Sequence, residues 1–453
     1  MTTPAITQRL ARLLHACALA DIPPAVLHEA KRALVNWMGA ALGGCNDDSV
    51  RRALATLSEF AAPGQATVIG HDVRVDALTA ALVNGISSNI LDFDDTHAHI
   101  VLHPTASIAC ALLALSEARP ISGTDFLHAL VLGIEVEARL LDPRVADYKF
   151  AWSPTTSVAA VGAAAACARA LRLTETQIAW ALGIAATQAS GLRETGGTMS
   201  KAFNAGHASR CGLVAALLAS QNFTGSSSAL EGPNGFIQAF GIPCDVEKIL
   251  ESWGDDYHVA SNTYKAFPCG IVTHPAICAC LDLHALGIRP ERIATLQLTV
   301  HPMAVRLTGR RSPGGPLEAK LSVFHTAAAA LVRGKVGVKE FDTTCIDDPA
   351  VAHLRENANV VVNDTYATDE AKVEVTMADG RTFAAHVAHA TGSLERPMTD
   401  RALEGKLASL AEDVLTQAEI ANLVAQLWSL DRLHDASALA RAASRASVLA
   451  RPA

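Results

Sequence analysis

Charge is scarce in this chain of 453 residues, where Asp, Glu, Lys and Arg together make up 18 %. The 37 basic residues are outnumbered by 45 acidic ones, a formal charge of −8, and no basic run occurs anywhere. Nucleic acid and anionic membrane surfaces are therefore excluded as natural partners. The ten cysteines form no CxxC pair and no regular ladder, so they read as reduced thiols of a cytoplasmic enzyme rather than a disulfide framework. No apolar run reaches the roughly 20 residues that span a bilayer. The first residues place Arg9 and Arg12 at helical spacing among leucines and lack the apolar stretch of a signal peptide. Long linkers, low-complexity segments and internal repeats are missing as well. What the chain has is apolar bulk, at 50 %. That can bury a sizeable core, and at this length it points to two or three domains, or to one large core with a smaller one appended. So little charge also suggests surface buried between subunits.

Up to about residue 265 the pattern is helix after helix. Asp21-Ile22-Pro23-Pro24 reads as a start signal, with apolar residues from Val26 to Leu42 recurring at three or four until Gly43-Gly44. Ser122 to Asp125 opens a helix through Leu141, and Thr174 with Gln177 forms a capping box before a helix over 178–189. Residues 158–171 are nearly all Ala, Val and Gly, which predicts a buried central helix in close packing. Nothing in this part alternates as a strand does. Beyond about residue 290 the period changes. Leu296, Leu298 and Val300 alternate with polar neighbours, as do Val373, Val375 and Met377. Asp379-Gly380 then turns the chain into 381–389, a hairpin signal. Residues 317–332 read as a helix, and the pattern is helical again from Thr399. The expected fold is a large all-α domain built from both chain ends, 1–267 and 395–453, with a smaller α+β domain inserted at 268–394. Chemistry would sit in the cleft between them.

Three stretches could carry it. The densest runs from Asn89 to Thr105 and holds Asp92, Asp94, Asp95, His97, His99 and His103. Such groups are expensive to bury unless hydrogen-bonded or used. On a helix, Asp92 and Thr96 would share one face. His103 follows in a loop, with Pro104 opening the next helix. Taken singly, each of these is as readily a capping or exposed residue. His97-x-His99 with Asp92 or Asp95 offers metal ligands, but the spacing matches no established motif, and no metal is expected. The second stretch, Gly191 to His207, presents Lys201 in a Gly-rich segment before a small-residue helix over 208–219. A helix start plus a lysine suits an anion, although the order is not that of a nucleotide-binding loop. The third, Tyr264 to Pro275, contains Lys265, Cys269 and His274. Cys269 reads as a packing residue, and His274 as the better group for acid–base work.

LDFDDTH…HPT, GTMSKAFNAGHASRCGLVAALLASQNFTGSSSALEGPNGF, YKAFPCGIVTHPAI, PLEAKLSVFHTAAAAL and VEVTMADGRTF…ATGSLERPMTD occur in this order. Together they resemble the MmgE/PrpD family, which includes 2-methylcitrate dehydratase, cis-aconitate decarboxylase and iminodisuccinate epimerase. The resemblance implies a helical domain formed by both chain ends, a smaller lid domain, a homodimer, and no metal or organic cofactor. It places Asp92, Thr96, His103, Lys201 and His274 in an active site, with Lys265 and Ser153 as substrate-binding residues. The implied substrates are small di- or tricarboxylates, which Lys201 and a protonated His274 would hold. His103 is the expected acid or base, Asp92 its orienting partner, and Thr96 a hydrogen-bond donor to a carboxylate. A lyase, dehydratase or decarboxylase, is the expected activity. Epimerisation of a dicarboxylate such as iminodisuccinate is the alternative, followed by a catalytically silent binding protein and a metal-dependent hydrolase. One departure stands out. Many members related to cis-aconitate decarboxylase carry His in a G-[FW]-H-x-T pattern where this chain has Ser153, which sets decarboxylation of cis-aconitate in question. His207 is an extra imidazole close to Lys201 in sequence.

Overall fold

The computed structural model describes residues 6–62, 64–100, 102–141, 151–241 and 247–445. Helix starts follow local chemistry. Pro24 opens the Pro24–Gly44 helix, since it surrenders an N–H that has no partner in a first turn. Asp21 does not cap it, however: its carboxylate accepts the Ala18 N–H at 2.8 Å within the preceding turn. Asp76 caps Ala77–Ile90, accepting from Leu78 and Thr79 at 3.0 Å each. Ser122 caps Gly123–Arg139, and Thr174 with Gln177 forms the capping box of Glu175–Ala186.

These helices build a first apolar core from residues between Ile6 and Tyr264, joined by residues from Leu403 to Ala443. Asp400–Ala411 brings the returning chain onto Pro24–Gly44. Ala159–Ala170 lies buried among Pro104–Ala118, Gly123–Arg139 and Met199–Ser220. A close crossing joins Ala77–Ile90 to Met199–Ser220, where Gly85 meets Gly206. A Cβ on Gly85 would lie 2.4 Å from the Gly206 Cα, so only glycine lets these backbones approach. That crossing sets the end of one helix beside the start of the other.

A second core runs from Cys269 to Ala390. Its four-stranded sheet has the order Ala358–Val362, Ile293–Val300, Ala371–Met377, Thr382–Val387, with the first pair parallel and the others antiparallel. Val373 and Val375 are fully buried while Lys372 and Glu374 are not, the alternation a half-buried strand requires. Gly380, at φ +85°, makes the predicted hairpin turn. His274–Ala285 packs on this hairpin and on Val323–Arg333.

Three local expectations change. The helix predicted over 317–332 is broken into Pro316–Ala319 and Val323–Arg333, because Ser322 caps the second piece by accepting the His325 N–H at 3.0 Å. The helical part contains two short ribbons despite its lack of alternation, Ala66–Thr67 with Arg74–Val75 and Thr96–His97 with Asn262–Thr263. Two-residue pairs are too short to leave a period. The third concerns Lys201, which lies inside a helix, Met199–Ser220, rather than in the loop before it. Among the described residues no helix is long and apolar enough to cross a membrane, and the nine described cysteines are free.

Candidate active site

Ala77–Ile90 ends just before Asp92, which adopts φ +54°. This left-handed conformation is tolerated by few residues besides Gly, Asn and Asp. Asp92 and Thr96 therefore do not share a helical face as predicted, because the helix has already ended and Thr96 lies in a strand paired with Thr263. That ribbon instead draws the segment after Thr263 against the Asp92 turn, and Lys265 with it. Lys201 arrives from the other side, in the first turn of Met199–Ser220.

The Asp92 carboxylate is 5 % exposed. Its Oδ1 accepts from Lys201 Nζ at 2.8 Å and from Lys265 Nζ at 2.9 Å, and Lys265 also reaches the Asp92 carbonyl at 3.1 Å. Burial alone pushes this carboxyl up, but the two ammonium groups outweigh it and hold Asp92 well below the usual carboxylate range. Lys201 is raised above its ordinary value, since the nearby Asp92 and Asp94 carboxylates overcome its desolvation.

His103 precedes the Pro104–Ala118 helix. Its Nδ1 lies 3.0 Å from the Asp95 carbonyl oxygen and 3.4 Å from Asp94 Oδ1, and its Nε2 is 4.0 Å from Asp92 Oδ1. A carbonyl only accepts, so Nδ1 carries the proton and Nε2 keeps its lone pair on the Asp92 side. Burial, assisted by Lys265 and Lys201, moves the imidazole below its ordinary value against the pull of Asp94 and Asp92. Neutral His103 is thus a base poised beside fixed cations.

These groups line a cavity of about 420 Å³. Of the sequence-predicted residues, Asp92, Thr96, His103, Ser153, Lys201 and Lys265 are on its wall. Thr96 is buried, and its hydroxyl oxygen has no hydrogen-bond partner among the described residues. Ser153 is held through its backbone, its N–H donating to the Gly191 carbonyl at 3.1 Å. His274 lies elsewhere. It lines a neighbouring cavity of about 380 Å³ that shares Thr96, Ile271, Val272 and Leu307 with the first. It is 1 % exposed, packs edge-to-face on Phe267, and is pushed by burial down to about 3. The expected protonated His274 is therefore corrected to a neutral imidazole, because burial together with the Lys265 and Lys406 charges outweighs the pull of Asp92.

Sequence reading missed Arg193, Arg306 and Arg310, which share the cavity wall. Arg193 Nε donates to the Trp152 carbonyl at 3.1 Å, and Arg310 donates to the Gly196 carbonyl at 2.8 Å and pairs with Glu318 at 3.0 Å. Arg306 lies in the short helix Pro302–Thr308 and Arg310 just beyond it, with no motif to mark either. His207 is not on the cavity wall; it stacks on Phe203 and faces the Cys211 thiol. Asp92, Asp94 and His103 are close enough together to ligate a metal ion, but the Lys201 and Lys265 ammonium groups already occupy Asp92 Oδ1 and repel a cation there. The His97-x-His99 ligand pair is not assembled with Asp92 or Asp95, and His97 Nε2 instead lies 3.1 Å from His258 Nδ1.

Two family models match the chain, the MmgE/PrpD N-terminal domain over residues 8–248 and the MmgE/PrpD C-terminal domain over residues 267–430. Curated relatives include a cis-aconitate decarboxylase of Mus musculus, 26 % identical over 97 % of this chain and 94 % of its own. That of Homo sapiens is 28 % identical with the same coverage, and one from Aspergillus terreus is 25 % identical over 96 % of this chain and 95 % of its own.

Proposed function

The chain belongs to the MmgE/PrpD family and is a lyase, and from this premise we propose that it decarboxylates a small unsaturated tricarboxylate of the cis-aconitate kind. One observation carries the reading. Five cationic side chains, Lys201, Lys265, Arg193, Arg306 and Arg310, line the cavity against a single carboxylate, Asp92. A lining this rich in cationic donors suits a ligand with several carboxylates, and a cavity of about 420 Å³ suits its size.

In the proposed reaction the C–CO2 bond of the methylene next to the double bond breaks. Its electrons form a new C=C, and the former alkene electrons move to the carbon beside a second carboxylate, which is then protonated. Lys201 and the arginines hold the carboxylates and stabilise the anion. His103 is neutral in the free protein, and the negative charge of the bound acid raises it until it takes a proton, which it delivers to carbon. Asp92 keeps Lys201 and Lys265 in place. Thr96 donates its hydroxyl to a carboxylate.

Epimerisation of a dicarboxylate is the second reading, favoured by the neutral His103 and by Ser153 where a family imidazole is expected. Proton NMR in D2O separates the two. With cis-aconitate, loss of CO2 and one deuterium in the product are expected. Exchange at the α-carbon of iminodisuccinate without loss of atoms, and no turnover of cis-aconitate, would replace the first reading with the second.

A further inference from the structure

Two buried lysines outside the wall of the larger cavity tie its central parts together. Lys320 Nζ donates to the Leu91 carbonyl at 2.8 Å and the Pro268 carbonyl at 3.0 Å. Lys406 Nζ donates to the Phe93 carbonyl at 2.7 Å, the Lys265 carbonyl at 2.8 Å and Asn36 Oδ1 at 2.7 Å. Leu91 and Phe93 flank Asp92, while Lys265 and Pro268 bound the segment that carries the Lys265 ammonium. Each lysine therefore joins the same two pieces of backbone, one on either side of Asp92.

They come from opposite ends of the architecture. Lys320 sits at the break between Pro316–Ala319 and Val323–Arg333 in the second core, and Lys406 lies on the returning Asp400–Ala411 helix. Lys320 lies over Phe341 at 4.8 Å, and Lys406 over Phe93 at 3.6 Å. Burying a lysine amine is costly, and burial with the Lys265 ammonium beside it lowers Lys406 well below its ordinary value. A backbone carbonyl is replaceable as an acceptor, so two such groups spent on one turn imply that the turn itself is what matters. A left-handed Asp92 persists only if its surroundings over-determine it.

We propose that Lys320 and Lys406 are positioning residues that hold Asp92 and Lys265 in register for the reaction. This rests on the function proposed above. Lys320 faces Asp92, Cys269, Lys201 and Lys265, and burial brings it down to about 8. Cys269 lies at about 12 and stays protonated there. Lys320 is charged below about 8, and as a neutral amine above it still has one N–H for each of its two carbonyls.

The test compares Lys320→Met, Lys406→Met and Lys320→Arg. Each Met variant is expected to lose at least about tenfold in kcat with KM changed less than about threefold, and to move the NMR titration of the 15N-labelled His103 ring toward ~6.5. Arg donates to both carbonyls and stays charged, so Lys320→Arg restores kcat. Folded Met variants with unchanged kcat and an unchanged His103 titration overturn the proposal. So does a folded Lys320→Arg variant whose kcat is about tenfold or more below wild type, which decides the matter if the Met variants do not fold. Should the wild type turn over none of the acids, the function reading fails, while the His103 titration still reports on the two lysines.

Discussion

Asp92 and Asp95 lie three residues apart, and both are buried, at 5 % and 0 % exposure. Their surroundings drive them in opposite directions. Asp92 faces two ammonium groups and is held well below its usual range. Asp95 has only neutral donors, Thr105 Oγ1 at 2.5 Å and Asn262 Nδ2 at 2.8 Å, and burial raises it to about 7. Burial by itself thus decides nothing about a carboxylate. The charges opposite it decide whether it is a permanent anion that organises cations or a neutral acid inside a scaffold.

The comparison breaks most severely if Asp92 loses its charge. Asp92→Asn keeps a residue that tolerates the left-handed turn but leaves Lys201 and Lys265 unpaired in the buried site. Turnover is expected to fall by about 10³-fold, with about 3–5 kcal/mol of stability lost; a denaturation midpoint and kcat close to wild type would mean the ion pairs carry little. His103→Asn follows. Substrate binding to the wild type at pH 7 should take up a proton, visible by calorimetry in buffers of different ionisation enthalpy. The variant should show no uptake and lose about 10²–10⁴ in kcat. Uptake that survives in the variant would assign the proton to another group. Next comes Gly206→Ala, which keeps every charge but sets a Cβ 2.1 Å from the Leu82 carbonyl. It should separate Lys201 from Asp92 and cost about 1–3 kcal/mol by overpacking, read as a lower melting temperature together with a raised KM.

The smallest change is expected at Asp95. Its folded value lies above its unfolded one, so the folded state holds the extra proton between about 4 and 7. Stability contributed by this group falls as pH rises through that window and is level above it. Asp95→Asn, neutral throughout, should flatten that slope while leaving stability near pH 4 little changed. A slope unchanged from wild type would show that Asp95 is already ionised there.

Much of the fold was legible along the chain. Ser122 and Thr174 cap helices because a short oxygen-bearing side chain satisfies free N–H groups next to it, and Gly380 turns a hairpin because it accepts positive φ. These causes act within a few residues. The break after Ala319 was not legible, since 317–332 keeps its helical period while Ser322 and Lys320 take other partners. The candidate site divides in the same way. Asp92 and His103 stood out as costly polar groups between apolar stretches, and Lys201 as a lysine in a Gly-rich segment before a helix. Arg193, Arg306 and Arg310 did not, because an arginine in a short turn or helix looks the same along the chain whether it faces water or a cavity.

The sequence by itself determined the helical body, the later alternation and the residues that bring charge to an apolar chain. Only the tertiary structure decided which charges meet. Asp92 pairs with lysines 109 and 173 positions away, and Lys406 grips a carbonyl 313 positions distant. Ionisation depends on separation and desolvation, and neither is encoded in local periodicity. That is why His274, expected from the family resemblance to hold a carboxylate as a cation, is pushed down to about 3 in its buried setting.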